Sequence, residues 1–239
     1  MSDTAVKEKE ETLIGEENVL ETTKVEIVKE ETKSKFKIYY IFKRLFDFVC
    51  SLLGLIVLSP VFLIVAILIR RDGGKAFFKQ ERIGKNGKTI KIYKFRSMIV
   101  NAEKVLEELM EKDENIRNEY LTNKKLENDP RITKIGKFIR KTSIDELPQL
   151  INVLKGDMSL VGPRPYLWRE KEDMGEAYNQ IITCKPGITG YWQVSGRSDV
   201  SFEERVELEK YYSQHVSAWM DIKILFKTVG VVLFGKGAK

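Results

Sequence analysis

The residues in this sequence that are best suited to chemistry are two adjacent acids, Asp145 and Glu146. Ser143 and Glu146 fit the S-x-x-E pattern of a helix start, and apolar positions follow at helical spacing, so the pattern predicts a capping box. There the acids offset the positive end of the helix. A carboxylate at a helix N-terminus can also stay ionised and act as a nucleophile or metal ligand. Spacing alone leaves both interpretations open.

An arginine between two prolines follows this helix. The helix is predicted to end at Lys155-Gly156, where a basic last turn meets a glycine. Pro163 and Pro165 then bracket Arg164, and each proline has a fixed φ and no N–H, so Arg164 is presented on a stiff turn. The sequence therefore predicts a phosphate-binding loop at Pro163, Arg164 and Pro165.

Two more cations, Lys94 and Arg96, flank a phenylalanine at the end of a predicted strand. One interpretation is a solvated strand edge. The other is a second contact for a phosphate or a lipid headgroup.

A loop rich in glycine, residues 184–197, ends in Arg197 and carries Tyr191 and Trp192. Such a loop is either a tight turn with core aromatic residues or a ligand contact. In the second case an aromatic ring stacks on a base and Arg197 reaches a phosphate.

The elements that must position these residues belong to a basic body with an acidic beginning. Residues 1–34 hold ten acids and five bases, a net charge of −5 that typifies a disordered tail. The remaining 25 acids and 36 bases give residues 35–239 a net charge of +11. A body with this charge indicates an anionic partner, such as a phosphorylated substrate, anionic lipid or nucleic acid.

Several kinds of site are excluded by composition. The two cysteines, Cys50 and Cys184, form neither a disulfide framework nor a zinc-binding spacing, which fits a reducing compartment. The one histidine, His215, provides no base for a serine or cysteine triad.

A membrane segment is predicted at residues 48–69, which are 22 residues without a charge. Ser59 and Pro60 fall in its middle, where proline removes a helical hydrogen bond and serine can satisfy the freed carbonyl. Lysine and arginine flank both ends, so both ends prefer the cytoplasm. We therefore expect a re-entrant helix-break-helix hairpin over a single span or a buried soluble helix.

The predicted fold class is α+β. A re-entrant hairpin at residues 35–71 follows the tail of residues 1–34, and a mainly helical cytoplasmic-face catalytic domain occupies residues 72–239. Within that domain, residues 76–79 and Thr89–Phe95 are predicted to form a small β-hairpin with an Asn-Gly turn. Residues 135–141 and 220–234 are predicted to be interfacial amphipathic helices.

The order of motifs resembles the bacterial sugar transferases, the monotopic polyprenyl-phosphate phosphoglycosyl transferases. The resemblance covers about residues 40–235, and the chain is similar to the short form of the family. It rests on Ser59-Pro60 and on these segments: ERIGKNGK (81–88), KFRSM (94–98), RKTSIDELPQLINVLKGDMSLVGPRP (140–165), KPGITGYWQVSGR (185–197) and MDIKIL (220–225).

The resemblance implies a reaction in which a UDP-sugar and undecaprenyl phosphate give undecaprenyl-diphospho-sugar and UMP. Asp145 is then the nucleophile that carries the phosphosugar, Glu146 binds Mg²⁺, and Arg164 holds phosphate. Asp221 is implied as a supporting acid, as is Glu209, where the family pattern has aspartate.

The implied setting is the cytoplasmic face of the bacterial inner membrane, where the enzyme starts capsule, exopolysaccharide, O-antigen or glycoprotein glycan assembly. Anionic lipids are expected partners, nucleic acid is not, and a homo-oligomer is compatible with the sequence. A non-catalytic basic membrane adaptor is the alternative, in which Asp145 and Glu146 only cap a helix. Nothing in the sequence identifies the sugar.

Overall fold

The computed structural model describes residues 38–123, 126–195 and 200–234, so the predicted tail and Arg197 lie outside the described residues. The elements in chain order are α1 (Ile38–Arg70), β1 (Phe77–Ile83), a 3₁₀ turn (Lys85–Gly87), β2 (Thr89–Phe95), α2 (Ala102–Lys112), α3 (Glu114–Asn123), α4 (Lys134–Lys141), a 3₁₀ helix (Ile144–Gln149), α5 (Leu150–Lys155), β3 (Ser159–Val161), a 3₁₀ turn (Trp168–Glu170), α6 (Ala177–Ile181), β4 (Gly187–Thr189), α7 (Tyr191–Ser195), α8 (Phe202–Gln214) and α9 (Ala218–Phe234). This mixture of helices and small sheets confirms the predicted mixed class.

The apolar segment forms one helix, α1, of 33 residues. The helix continues through Ser59 and Pro60, so the predicted separation into two helices is wrong. The Ser59 hydroxyl explains the continuity, because it donates to the Ile56 carbonyl at 2.8 Å. Pro60 has no N–H to bond that carbonyl, so the serine replaces the missing donor, as its position before the proline predicted. α1 is long and apolar enough to cross a membrane.

One face of α1 is packed against the protein. Asp47, Ser51, Val65 and Ile69 are buried, and intervals of 4 and 18 residues return to the same face of a helix. Val65 and Ile69 join a core cluster with residues of β2 and α4. Large apolar side chains are exposed elsewhere on the same part of α1, namely Phe48, Val49, Leu52, Leu53, Ile56, Val57, Leu63, Ile64 and Ile67. The helix thus has a protein face and an apolar outer face.

The predicted β-hairpin is confirmed, with a longer first strand. β1 and β2 pair antiparallel from Phe77 opposite Phe95 to Ile83 opposite Thr89. In the connection, Asn86 and Gly87 have φ of 56° and 73°, the left-handed conformation that Asn-Gly tolerates.

A parallel pair of short strands, β3 and β4, is absent from the sequence prediction. Ser159 pairs with Gly187 and Val161 with Thr189. The two backbone segments also approach each other closely next to these strands, since a Cβ on Gly162 would overlap the Lys185 carbonyl. Glycine is therefore required where the phosphate-loop segment meets the segment before β4.

The positions of the helices agree with the sequence prediction better than their types do. α4 and α9 lie where the pattern placed them, and α5 ends at Lys155 with Gly156 at φ 90°. The helix predicted to begin near Ser143 is instead a 3₁₀ helix that contains Pro148 and leads into α5. The two acids therefore lie on a 3₁₀ helix ahead of the α-helix.

Candidate active site

The predicted capping box at the two acids does not form. Ser143 has a left-handed φ of 57°, and its side chain makes no capping hydrogen bond. The Ser143 amide, which the Glu146 carboxylate would accept in a capping box, donates instead to the Arg140 carbonyl at 3.1 Å, so the carboxylate is available to other partners. The Ser-x-x-Glu pattern therefore does not cap a helix in this structure. Both acids lie on the 3₁₀ helix next to β2.

Glu146 is ion-paired with Lys94 of β2. The Lys94 Nζ lies 2.6 Å from Glu146 Oε1, and the Glu146 side chain is 39% exposed. Burial raises the pKa of Glu146, but Lys94, Arg164 and Arg82 outweigh it, and the pKa falls below its usual value. Lys94 was predicted to contact substrate, and it lies beside one of the two acids.

Asp145 responds in the opposite direction. Burial, followed by the negative charge of Glu146, raises the pKa of Asp145 to about 6, against the opposing effects of Lys94 and Arg140. Asp145 is therefore less acidic than an ordinary aspartate, and its role as a nucleophile stays a prediction. A carboxylate with a pKa near 6 is still mostly ionised at neutral pH, and it is a stronger base and nucleophile than one near 4. Two adjacent acids with divergent pKa values can serve two roles.

The loop of Pro163, Arg164 and Pro165 is held from three sides. The Arg164 amide donates to Glu209 Oε1 at 2.7 Å, and the Gly187 amide donates to the Pro163 carbonyl at 2.8 Å. Arg82 donates to the Pro165 carbonyl at 3.1 Å. The stiffness predicted from the two prolines is thus reinforced by tertiary contacts.

The guanidinium of Arg164 retains donor capacity. Its Nε is buried and has no hydrogen-bond partner among the described residues. Its charge helps to lower the pKa of Glu146, so the arginine acts on the two acids electrostatically. A partly exposed guanidinium with an unused donor is suited to an anionic ligand, because its planar fork matches two phosphate oxygens.

Glu209 was predicted to support a metal site, and the structure gives it a different contact. It is completely buried on α8 and accepts the Arg164 amide through Oε1. Burial raises the pKa of Glu209 to about 8, although Arg164 and Arg205 oppose this shift. Glu209 therefore supports the phosphate loop through its backbone.

Asp221, the other predicted supporting acid, lies on α9 and accepts the Tyr212 hydroxyl at 2.7 Å. That hydroxyl also approaches the carbonyl of Val161 at 3.4 Å, at the end of β3. Asp221 thus orients the tyrosine that braces the strand ahead of Arg164.

The Mg²⁺ prediction names Glu146, with Asp221 and Glu209 as supporting acids, and these two acids accept hydrogen bonds from Tyr212 and from the Arg164 amide. Among the described residues, no three acids, histidines or cysteines converge closely enough to hold a metal ion. Two adjacent carboxylates still fit Mg²⁺, which commonly takes one or two protein carboxylates together with phosphate oxygens of a substrate. The donor chemistry is therefore compatible, and Mg²⁺ stays a prediction.

Arg96 is used entirely by the protein. Its Nε and two terminal nitrogens donate to Asp72 and to the carbonyls of Ile69, Lys75 and Met98, which occupies all five N–H groups. In this structure Arg96 has no N–H left for the predicted substrate contact, which stays a prediction. The residue fastens the C-terminal end of α1 to β2.

Two arginines near these residues were not singled out by the sequence analysis. Arg82 is buried beside the phosphate loop, where burial and then the charge of Arg164 lower its pKa to about 10. Arg140 donates to Ser97 at 2.8 Å and helps to lower the pKa of Asp145. Arg82 lies in the ERIGKNGK motif and was not weighed separately, while Arg140 was interpreted as part of a membrane-facing helix.

The aromatic residues of the glycine-rich loop pack within the protein. Tyr191 contacts the ring of Tyr211 at 5.3 Å between centroids, and the guanidinium of Arg205 lies 4.6 Å from the Trp192 ring. The predicted base stacking and the role of Arg197 stay predictions.

Comparison with known proteins agrees with the motif order. The bacterial sugar transferase family model matches residues 38–235. An undecaprenyl-phosphate galactose phosphotransferase of Salmonella typhimurium is 51% identical over 196 residues, which are 82% of this chain and 41% of that protein. A UDP-glucose:undecaprenyl-phosphate glucose-1-phosphate transferase of Escherichia coli is 42% identical, over 78% of this chain and 39% of that protein.

The chain therefore spans about two fifths of the length of these two relatives. A shorter relative, the exopolysaccharide production protein ExoY of Sinorhizobium fredii, is 43% identical over 212 residues, which are 88% of this chain and 94% of that protein. Because the family model covers most of the sequence, the chain belongs to the bacterial sugar transferase family.

Proposed function

We propose that this protein transfers a sugar 1-phosphate from a UDP-sugar to undecaprenyl phosphate, releasing UMP, as the first membrane step of polysaccharide or glycan synthesis. The names of the relatives support the substrate classes. The observation that carries the proposal is a pair of adjacent carboxylates with opposite pKa shifts, in the electrostatic range of an arginine with a buried unused donor.

Asp145 is the nucleophile in this proposal. One of its carboxylate oxygens attacks the β-phosphorus, the bond from that phosphorus to the bridging oxygen breaks, and UMP leaves with the electron pair. An oxygen of undecaprenyl phosphate then attacks the same phosphorus, the bond to Asp145 breaks, and the carboxylate is restored. A covalent intermediate suits two substrates that arrive from different phases.

The surrounding residues bind and orient charge. Arg164 holds phosphate oxygens while Glu209, Gly187 and Arg82 fix the loop that carries it. Lys94 stabilises the ionised form of Glu146. Glu146, with phosphate oxygens of the substrate, would hold Mg²⁺, and the ion would neutralise the diphosphate and the leaving UMP.

The membrane setting follows from the outer faces of α1 and α9. Exposed Trp219, Ile222, Phe226 and Val229 form an apolar ridge on α9, and α1 exposes its own apolar face. Protein contacts lie on both sides of Pro60 in α1, which supports an arrangement in which the helix enters and leaves one leaflet. We place the site at the cytoplasmic face of the bacterial inner membrane, with anionic lipids around it.

The test is UMP release by the purified protein in lipid nanodiscs with undecaprenyl phosphate and a panel of UDP-sugars. We expect release with one or a few UDP-sugars and a loss of about 1,000-fold or more in Asp145→Asn, since asparagine fills the same space without a nucleophilic carboxylate. Full activity of Asp145→Asn would contradict the nucleophile assignment. Membrane binding without UMP release by the wild type would favour the adaptor.

A further inference from the structure

Asp47 is a buried acid on α1, the helix whose outer face is apolar. It is 4% exposed, and Ser51, one turn later, is fully buried. Burial of an acid on an apolar helix costs free energy unless its oxygens accept hydrogen bonds. Its position therefore requires a specific partner in the folded protein.

Asp47 binds the backbone of β3. Its Oδ1 accepts from the Leu160 amide at 3.0 Å, across 113 positions of the sequence. The Ser159 amide donates to the Pro186 carbonyl, directly before β4, whereas the next amide, that of Leu160, donates to Asp47 on the other edge of the strand. Among the described residues β3 pairs with β4 alone, and Asp47 satisfies the donor on the open edge.

This contact links α1 to the phosphate loop. β3 ends at Val161, and Gly162 leads directly to Pro163 and Arg164. A second attachment lies at the other end of α1, where Arg96 binds the Ile69 carbonyl and Asp72. Asp47 and Ile69 are 22 positions apart, about 33 Å along a helix at 1.5 Å per residue. Two attachments at this separation fix both the tilt and the axial position of α1 against the catalytic residues.

We propose that Asp47 is a positioning residue that sets the height of the active site above the hydrocarbon of the bilayer. The proposal rests on the proposed function, because it assigns the two substrates to different phases. A lipid phosphate lies at a fixed depth, whereas a UDP-sugar arrives from water at any height. Loss of the Asp47 contact therefore weakens productive binding of the lipid acceptor and spares binding of the nucleotide sugar.

The kinetic test compares Asp47→Ala with Asp47→Asn in nanodiscs. Alanine removes the acceptor, while asparagine retains an oxygen that can accept the Leu160 amide. We expect Asp47→Ala to raise KM for undecaprenyl phosphate about tenfold, with KM for the UDP-sugar within about twofold. Asp47→Asn should remain within about threefold of the wild type. Leu53→Ala, on the exposed face of the same helix, is the matched control and should leave both KM values within about twofold.

Amide hydrogen exchange tests the contact without any reaction. The Leu160 amide should exchange about tenfold faster or more in Asp47→Ala than in the wild type, and Asp47→Asn should protect it. Unchanged exchange at Leu160 in a folded Asp47→Ala protein would overturn the contact. Faster exchange with an equal rise in both KM values, or with a fall in kcat alone, would overturn the role in depth. Absence of UMP release by the wild type would refute the proposed function, and the exchange data would still report on the contact.

Discussion

Two ion pairs, Lys94–Glu146 and Arg96–Asp72, lie at the same end of β2, and they connect β2 to different parts of the protein. Lys94 makes one short contact with Glu146, beside Asp145, at 2.6 Å. Arg96, two positions later, uses all its donors on Asp72 and on three backbone carbonyls. The first pair lies in the candidate active site and the second fastens the apolar helix α1. A cation near a phosphate loop is therefore informative only when its donors are accounted for.

The acids in these two regions also differ, in their pKa values. Hydrogen bonds from the Arg96 side chain and then from the Gly74 amide hold the pKa of Asp72 at about 2. Asp145, half-buried next to another carboxylate, has a pKa of about 6. One acid stays ionised at any physiological pH, while the other is close enough to titration for nucleophilic chemistry.

The largest effect that would sharpen this comparison is expected from Arg164→Lys. Lysine cannot reproduce a bidentate contact with phosphate, so we expect kcat/KM for UMP release to fall about 100-fold. The melting temperature should change by less than about 2 °C, because Glu209 binds the backbone amide at this position and not the side chain. Steady-state UMP release and thermal unfolding in detergent measure the two quantities. Activity within about threefold of the wild type would remove Arg164 from the phosphate site.

A smaller effect is expected from pH. Protonation of Asp145 removes the nucleophile, so kcat/KM should fall as pH decreases through about 6 and be about tenfold lower at pH 5 than at pH 7. Measurements between pH 4.5 and 7 avoid the titration of Glu209, whose pKa is about 8. Activity that stays constant down to pH 5 would show that the essential carboxylate has a pKa below the value of about 6 that burial gives Asp145.

The smallest effect on catalysis is expected from Arg96→Lys. Lysine offers three donors in place of five and cannot form the planar pair with Asp72, so the end of α1 loses attachment. We expect the melting temperature to fall by about 5 °C, roughly 2 kcal/mol, while kcat/KM for the UDP-sugar per folded molecule stays within about threefold. This outcome is the reverse of that for Arg164→Lys. A large loss of activity without a loss of stability would return Arg96 to the substrate site.

Local patterns predicted the secondary structure well where one signal dominated. The Asn-Gly turn marked the β-hairpin, and Gly156 ends α5 as its position after Lys155 predicted. The Ser143 pattern failed because Glu146 is drawn to Lys94, a residue 52 positions away. A long-range ion pair overrides a local cap, and no helix propensity encodes it.

The sequence by itself determined the family, the apolar helix, the acid pair and the proline-bracketed arginine, because motif order and local stereochemistry are written in consecutive residues. Tertiary structure alone decided which cations remain available, which acids brace the loop and which carboxylate has its pKa raised. Those properties depend on burial and on partners up to 113 positions apart, such as Asp47 and Leu160. They arise only when distant segments share a low-dielectric interior.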